Sequence, residues 1–280
     1  MTHPIATLTD EQLVSALLRY APEQGKEALH ADFSDAVFRY RAALQEIPVG
    51  RGEACLLDVG ARLYTATIYV DLLKYGQVAL ATKWKTSFTD EALLAQIPGG
   101  NRISLQHFDA EVERFPYPDE SFDVIVCTEV LEHLAVDPMH MLAEMGRICR
   151  PDGLLIMTTP NAASFDALTK VMAGRHPYSW APYSGQSTDR HNREYTITEL
   201  ERAVAAAGFD VQHSATISDQ PFSLKERILA TWFSIPNLAR GKSGLDLGRM
   251  RSTSLVMGRK VGPVRDRYPG WLYYNPGRGH

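Results

Sequence analysis

The chain has 280 residues, of which 45% are hydrophobic and 22% charged, so it can bury a full core as a soluble protein with one large domain or a domain with an elaboration. Its first residues lack a basic segment followed by an apolar stretch, and no apolar run comes close to the roughly 18 residues of a membrane span, so we expect the protein in the cytoplasm. Its net charge of −4 excludes a uniformly basic core, which favours a sugar or small-molecule partner over a long nucleic acid.

The charge is unevenly distributed along the chain. Residues 227–280 contain ten Lys or Arg and two Asp or Glu, so the rest of the chain is acidic. A basic end of this kind either steers an anionic substrate or contacts the acidic remainder.

Two helices are predicted before the core begins. Thr9 caps an acidic first turn that is followed by helical apolar spacing, and a second helix is predicted at 32–47. We assign residues 1–49 to an N-terminal helical extension, which either covers the substrate side or packs against the core. The segment 48–52 contains Pro and two Gly, and it marks the start of the core.

Apolar strands and helical stretches then alternate. Strands are predicted at residues 54–60, 77–81, 102–107, 122–127, 154–159, 209–217 and 252–261, and helices at 61–75, 90–96, 138–149 and 198–208. This spacing predicts an α/β core over residues 50–262, with a parallel sheet built from right-handed crossovers.

Two insertions and a tail accompany this core. The first insertion, 161–190, is rich in Pro, Gly, Ser and Tyr and has no clear period, which is typical of a lid above the sheet. Its aromatic residues Tyr178, Trp180 and Tyr183 either stack on a sugar or form a permanently packed cluster. The second insertion, 218–250, contains a predicted helix at 224–233, and the aromatic and basic tail 263–280 is predicted to dock on the core.

The central stretch, residues 122–134, is a buried strand that ends in Glu129, Glu132 and His133. If the chain becomes helical there, offsets of three and four residues place these side chains on one face. Because open α/β sheets bind ligands at the carboxyl ends of their strands, the three residues could bind a divalent cation or transfer protons. Alternatively, they form a solvated first helical turn, where acids are favoured by the helix dipole.

The order of these parts resembles a class I S-adenosylmethionine-dependent methyltransferase. The segment 108–123 is similar to the third-strand segment of that family, 123–134 to its fourth motif, and 150–153 to the turn before its fifth strand. The resemblance implies a Rossmann-like sheet of seven strands, mostly parallel with the last antiparallel, helices on both faces, and insertions after strands five and six. It also implies S-adenosylmethionine as cofactor, with Asp109 accepting a hydrogen bond from the adenine amino group. The implied cofactor-binding residues are Asp58, Gly60, Asp109, Ala110 and Thr128.

The first motif departs from the pattern of that family. The usual G-x-G-x-G turn keeps only Gly60, and Arg62 and Tyr64 replace the other glycines. Their side chains either occupy the space of the methionine part of the cofactor or accompany a different loop path. The second strand leads to Lys83 and lacks the acid that holds the ribose hydroxyls. A second hypothesis is therefore a degenerate methyltransferase fold that acts as a binding or regulatory subunit.

The Glu-x-x-Glu-His element has a narrower resemblance. It is similar to the metal-binding helix of small-RNA 3′-terminal 2′-O-methyltransferases and of ubiquinone-biosynthesis O-methyltransferases. The former also carry a downstream His-x-x-Glu-aromatic-Thr segment, which residues 191–196 match. The resemblance implies that Glu129, Glu132, His133 and His191 bind Mg2+ or Mn2+. Without a metal, His133 or His191 would be the general base, oriented by Glu129 or Glu132.

These observations predict an S-adenosylmethionine-dependent O-methyltransferase that acts on a hydroxyl of a sugar-like or small polyol acceptor. A bound metal would chelate adjacent hydroxyls and lower the pKa of the attacking one. A third hypothesis is a metal-dependent enzyme of another class.

Overall fold

The computed structural model describes residues 2–21, 26–83, 102–178, 190–219, 221–238 and 246–274 of the chain. The strands are β1 (Cys55–Val59), β2 (Gln77–Thr82), β3 (Ile103–His107), β4 (Phe122–Thr128), β5 (Cys149–Pro160), β6 (Phe209–Ile217) and β7 (Thr253–Lys260). The helices are α1 (Asp10–Leu17), α2 (Lys26–Glu46), α3 (Leu63–Thr67), α4 (Pro138–Ile148), α5 (Phe165–Met172), α6 (Ile197–Ala206) and α7 (Leu224–Leu238).

The strands form one seven-stranded sheet in the order β3-β2-β1-β4-β5-β7-β6. The pairs among β1 to β5 are parallel, and β7 lies antiparallel between β5 and β6. The predicted α/β class and the single antiparallel strand are therefore confirmed. In this order the carboxyl ends of β1 and β4 are adjacent at the centre of the sheet, where such folds bind ligands.

Helices α1, α2 and α3 cover one face of the sheet. Thr9 and Gln12 form a capping box that starts α1, and Leu13, Leu17 and Phe33 join the apolar cluster beneath. Of the two alternatives for the N-terminal helices, the structure shows packing against the core. The predicted helix after β1 is shorter than expected, because α3 passes into a π-helical turn at Ile68–Leu72.

Helices α4 and α6 cover the opposite face with a second apolar cluster, which includes Leu142, Met145, Leu200 and Val204. A capping box between Thr196 and Glu199 starts α6. Both faces of the central strands are thus buried, which explains why β4 is a continuous apolar run. Among the described helices, none is both long and apolar enough to cross a membrane.

The described part of the tail, residues 263–274, docks on this second face. Trp271 and Tyr273 pack against the apolar cluster, and Arg267 pairs with both carboxylate oxygens of Asp137 at 2.9 and 2.6 Å. Asp137 also caps α4 and accepts a hydrogen bond from the Tyr273 hydroxyl. Burial alone would raise the pKa of Asp137, but the hydrogen bonds from Arg267 and Tyr273 hold it below its usual value.

The first insertion differs from its predicted irregular structure, because it contains α5. Ser164 caps this helix by accepting a hydrogen bond from the Ala167 amide, and Phe165 is buried. Two helical turns are too short to give the sequence a clear period. Trp180 and Tyr183, and the helix predicted at 90–96, lie outside the described residues.

We predict that Asp137→Ala lowers the free energy of unfolding by about 2–4 kcal/mol, because it removes a helix cap and leaves Arg267 without its carboxylate. Denaturant unfolding measures this change. Asp166→Ala is the matched control, since its side chain is 66% exposed and its pairing with Lys170 should contribute less than about 1 kcal/mol. Equal losses in the two variants would show that the tail does not depend on Asp137.

Candidate functional site

The chain turns sharply where β4 ends. Glu129 has a φ of +55°, in the left-handed region, and a single 3-10 turn follows at Leu131–His133. The condition for a shared face, an α-helix directly after β4, is therefore not met, because a left-handed residue breaks helical spacing at its first step. As a result, Glu129 does not share a face with Glu132 and His133. We call residues 129–133 the acidic turn.

Glu129 is held by contacts with two other elements. Arg39 of α2 donates to Glu129 Oε2 at 2.5 Å, and the Thr158 hydroxyl of β5 donates to Oε1 at 2.9 Å. The Glu129 amide also donates to the Thr158 carbonyl at 3.0 Å. A left-handed conformation costs a residue with a Cβ about 1–2 kcal/mol, and these bonds offset that cost.

The Glu132 side chain points away from that of Glu129 and is fully buried. The Thr159 hydroxyl donates to its Oε2 at 2.9 Å, whereas its Oε1 has no hydrogen-bond partner among the described residues. Burial raises the pKa of Glu132 well above its usual value, and the charge of Glu129 raises it further. A buried carboxylate oxygen without a donor is costly unless a cation or proton accompanies it.

His191 reaches the acidic turn from a distant part of the chain. The amides of Asn192 and Arg193 donate to the Glu132 carbonyl at 2.7 and 3.2 Å, and the Asn192 side chain donates to the His133 carbonyl at 2.6 Å. These bonds bring the ring centroids of His133 and His191 to 5.0 Å, edge to face.

Glu132, His133 and His191 therefore form a cluster in which one ligand atom from each residue lies within 4.8 Å of the others. His191 Nδ1 pairs with Glu194 Oε1 at 2.7 Å, which leaves Nε2 to face a ligand. His133 Nδ1 lies 3.2 Å from the Arg190 carbonyl oxygen, and because a carbonyl only accepts, Nδ1 carries the hydrogen.

Sequence reasoning predicted three of these residues but missed Glu194. The signal was present, since Glu194 lies three residues after His191 in the matched segment. A histidine that binds a metal usually donates its other ring N–H to a carboxylate, which fixes the orientation of the ring. Glu129 lies outside the cluster.

Asp58 and Gly60 stand at the carboxyl end of β1. Asp58 is buried and accepts hydrogen bonds from the hydroxyls of Thr65 and Tyr69 at 2.8 and 2.9 Å. Burial outweighs these bonds and raises its pKa to about 7. Gly60 has a φ of +78°, and a Cβ at this position would lie 2.2 Å from a methyl group of Val130. The loop after β1 thus packs directly on the acidic turn and requires glycine.

Tyr64 and Arg62, which replace the other two glycines of the usual turn, differ in burial. Tyr64 is 2% exposed and packs edge-on against Phe33 of α2, with the ring centroids 5.9 Å apart. Arg62 is exposed and precedes the first residue of α3. The Tyr64 side chain therefore lies in the apolar core.

Asp109 follows the end of β3 and is 21% exposed. Its Oδ2 pairs with Lys83 Nζ at 2.6 Å, and its Oδ1 accepts a hydrogen bond from the Glu111 amide at 3.0 Å. Ala110 and Thr128 are partly buried. The structure thus places the five predicted cofactor residues at the carboxyl ends of β1, β3 and β4.

Comparisons with known proteins agree with this architecture. A family model described as a methyltransferase domain matches residues 17–214. A ubiquinone biosynthesis O-methyltransferase of Azorhizobium caulinodans is 27% identical over 67% of this chain and 67% of its own length. A protein of the same name from Parvibaculum lavamentivorans is 30% identical over 38% of this chain and 40% of its own length. An S-adenosylmethionine-dependent methyltransferase structure from Mesorhizobium loti has a TM-score of 0.51 at 17% identity, covering 79% of this chain and 97% of that one.

We predict that Asp58→Asn flattens the dependence of stability on pH. Because the pKa of Asp58 is raised from 3.8 to about 7 in the folded protein, its contribution to stability is present below pH 3.8 and is lost as the pH rises through 7. The free energy of unfolding should therefore vary less between pH 5 and pH 8 in the variant, by about 2–3 kcal/mol. Urea unfolding at several pH values measures this, with the exposed Asp166→Asn as control. The same pH dependence in both variants would contradict the raised pKa.

Proposed function

The chain belongs to the methyltransferase-domain family and has the class I fold of S-adenosylmethionine-dependent methyltransferases, and we propose that it methylates a hydroxyl of a small acceptor. The observation that carries this proposal is the contact between Gly60 of the cofactor loop and Val130 of the acidic turn. This contact supports a methyl-donor position beside the cluster of Glu132, His133 and His191. The two relatives named as O-methyltransferases support a hydroxyl as acceptor.

The residues at the sheet edge fit the adenosyl part of the cofactor. S-adenosylmethionine supplies an electrophilic methyl group on a sulfonium centre. Asp109 is positioned to accept a hydrogen bond from the adenine amino group, since its carboxylate is partly exposed and a carboxylate accepts several bonds. Lys83 occupies the position where related enzymes carry an acid, and here it balances the charge of Asp109.

The cluster fits a divalent metal ion. Glu132, His133 and His191 offer one carboxylate and two imidazoles, a set that suits Mn2+ better than Mg2+, which prefers oxygen ligands. Two features support this assignment. The Oε1 of buried Glu132 lacks a hydrogen-bond partner among the described residues and lies 3.9 Å from His133 Nε2, and the Glu194 carboxylate pairs with His191. A bound divalent cation supplies Lewis acidity, which lowers the pKa of a hydroxyl group.

The acceptor that best suits such a site is a sugar or small polyol. Adjacent hydroxyls on these molecules can occupy two positions around one cation, which fixes the attacking oxygen for in-line displacement. Without a cation, the same cluster offers a different chemistry. His133 holds its hydrogen on Nδ1 through the Arg190 carbonyl, so its Nε2 can accept the hydroxyl proton.

We predict that His133→Ala and His191→Ala each abolish Mn2+ binding, and that the double variant is little worse than either single one, because the ligands act as a unit. Glu194→Gln should weaken Mn2+ binding about 10–100-fold by loosening the orientation of His191. Electron paramagnetic resonance titration of free Mn2+ measures these affinities, and His176→Ala, an exposed histidine outside the cluster, is the control.

Methyl transfer should fall in the same variants, and a chelator should reproduce the loss. Addition of Mn2+ should then restore transfer in the unmodified protein but not in His191→Ala. If a chelator leaves transfer unchanged while His133→Ala removes it, the metal assignment is wrong and His133 acts as the base.

We also predict that Asp109→Ala weakens S-adenosylmethionine binding by about 1.5–3 kcal/mol, because the adenine amino group loses its acceptor. The fold should remain intact, since Asp109 lies at a strand end outside the core. Calorimetry with S-adenosylmethionine measures the affinity, and Asp119→Ala, which changes an exposed carboxylate, is the control. An unchanged affinity would place the adenine pocket elsewhere.

A further inference from the structure

The second insertion exposes an apolar stripe that the methyl-transfer site does not use. Helix α7 presents Leu224, Ile228, Trp232 and Ile235 with 73%, 59%, 66% and 54% of their surface exposed. Spacings of four, four and three residues place all four on one face of the helix. We call these four residues the exposed ridge. Soluble proteins rarely leave such a row of large apolar side chains in water.

The ridge belongs to a small cap formed by α5 and α7. Phe165 of α5 and Ala230 of α7 share an apolar cluster with Met250, so α7 already has a buried side. Helix α5 also ends in exposed apolar residues, Val171 and Met172, at 55% and 58%. The ridge is therefore an additional apolar surface and is not the side that holds α7 in the fold.

The segment of sequence that carries the ridge is basic. Residues 221–251 contain six Lys or Arg and two Asp or Glu, a net charge of +4 in a chain whose total is −4. Arg227, beside Ile228, is exposed. A helix that combines exposed aliphatic residues, an exposed Trp and basic neighbours has the composition of one that lies in a membrane interface. Each basic residue near an anionic bilayer adds about 1 kcal/mol of attraction.

We propose that the exposed ridge docks this protein on the surface of a membrane that contains anionic lipid. Charge favours this occupant over a second copy of the chain, because a twofold dimer through the ridge would bring two basic segments together. An anionic bilayer instead complements both the apolar side chains and the positive charge. Docking of this kind is peripheral and needs no helix that crosses the bilayer.

The cap lies on the same edge of the sheet as the candidate site. The Asn161 side chain, directly after β5, donates to the carbonyls of Arg249 and Arg251, both at 2.9 Å. Asn161 also pairs with Tyr195, which lies four residues after His191. A docked protein would thus hold the edge that carries its site near the lipid surface, and an acceptor carried on an amphiphile would meet it there. This last consequence rests on the proposed methyl transfer, whereas the docking does not.

Vesicle sedimentation of the full chain, without cofactor or acceptor, tests the docking. The protein should sediment with vesicles of phosphatidylcholine and phosphatidylglycerol, less with phosphatidylcholine alone, and less at high salt. In the double variant Ile228→Gln/Trp232→Gln the partition coefficient should fall at least about tenfold, since two apolar side chains are lost from the interface. The matched control Val49→Gln/Val261→Gln changes two apolar residues that are 45% and 51% exposed and lie outside the ridge, and it should sediment like the unmodified protein.

Circular dichroism and S-adenosylmethionine affinity establish that both double variants are folded. Absence of sedimentation with anionic vesicles, or equal sedimentation of the ridge variant and the control, would overturn the proposal. The proposal would also be overturned if analytical ultracentrifugation shows a dimer that the ridge variant does not form, while vesicle binding is absent. The ridge would then be covered by a second copy of the chain. None of these outcomes bears on methyl transfer, which can be measured separately.

Discussion

The candidate site depends on one backbone constraint, the left-handed conformation of Glu129 at the end of β4. Arg39 and Thr158 hold the Glu129 side chain, so the chain leaves the strand with its next acid pointing the opposite way. Glu132 is thereby buried beside Thr159, with one carboxylate oxygen left for a cation or a proton. Because Arg39 belongs to α2, the N-terminal extension contributes to the geometry of the site and not only to the apolar core.

The same turn couples the two halves of the site. Val130 fills the space above Gly60, so the loop after β1 and the cluster of Glu132, His133 and His191 cannot shift independently. The reduced glycine content of that loop is compatible with this packing, because the Tyr64 side chain enters the core against Phe33. The cap formed by α5 and α7 lies at the same edge of the sheet and carries the exposed ridge. The proposed cofactor site, acceptor site and membrane surface therefore share one edge of the sheet.

The alternation of strands and helices was sufficient to predict the seven-stranded sheet, because buried parallel strands leave a strong apolar signal. The resemblance of residues 191–196 to a segment of known O-methyltransferases predicted that His191 joins His133. The conformation of Glu129 could not be predicted, since it depends on partners far away in the chain and contradicts the local preference of a glutamate. The pairing of Lys83 with Asp109 was missed for a similar reason, because the two residues follow different strands and meet only when β2 and β3 pair.

The proximity of a metal ion to the transferred methyl group is the central claim, and magnetic resonance can measure it directly. S-adenosylmethionine labelled with 13C in its methyl group would be bound to the protein, and Mn2+ would be added. We expect strong paramagnetic relaxation of the methyl signal in the unmodified protein and none beyond the level of free Mn2+ in His191→Ala. A labelled cofactor that binds normally while Mn2+ leaves its methyl relaxation unchanged in the unmodified protein would contradict the assignment of the cluster.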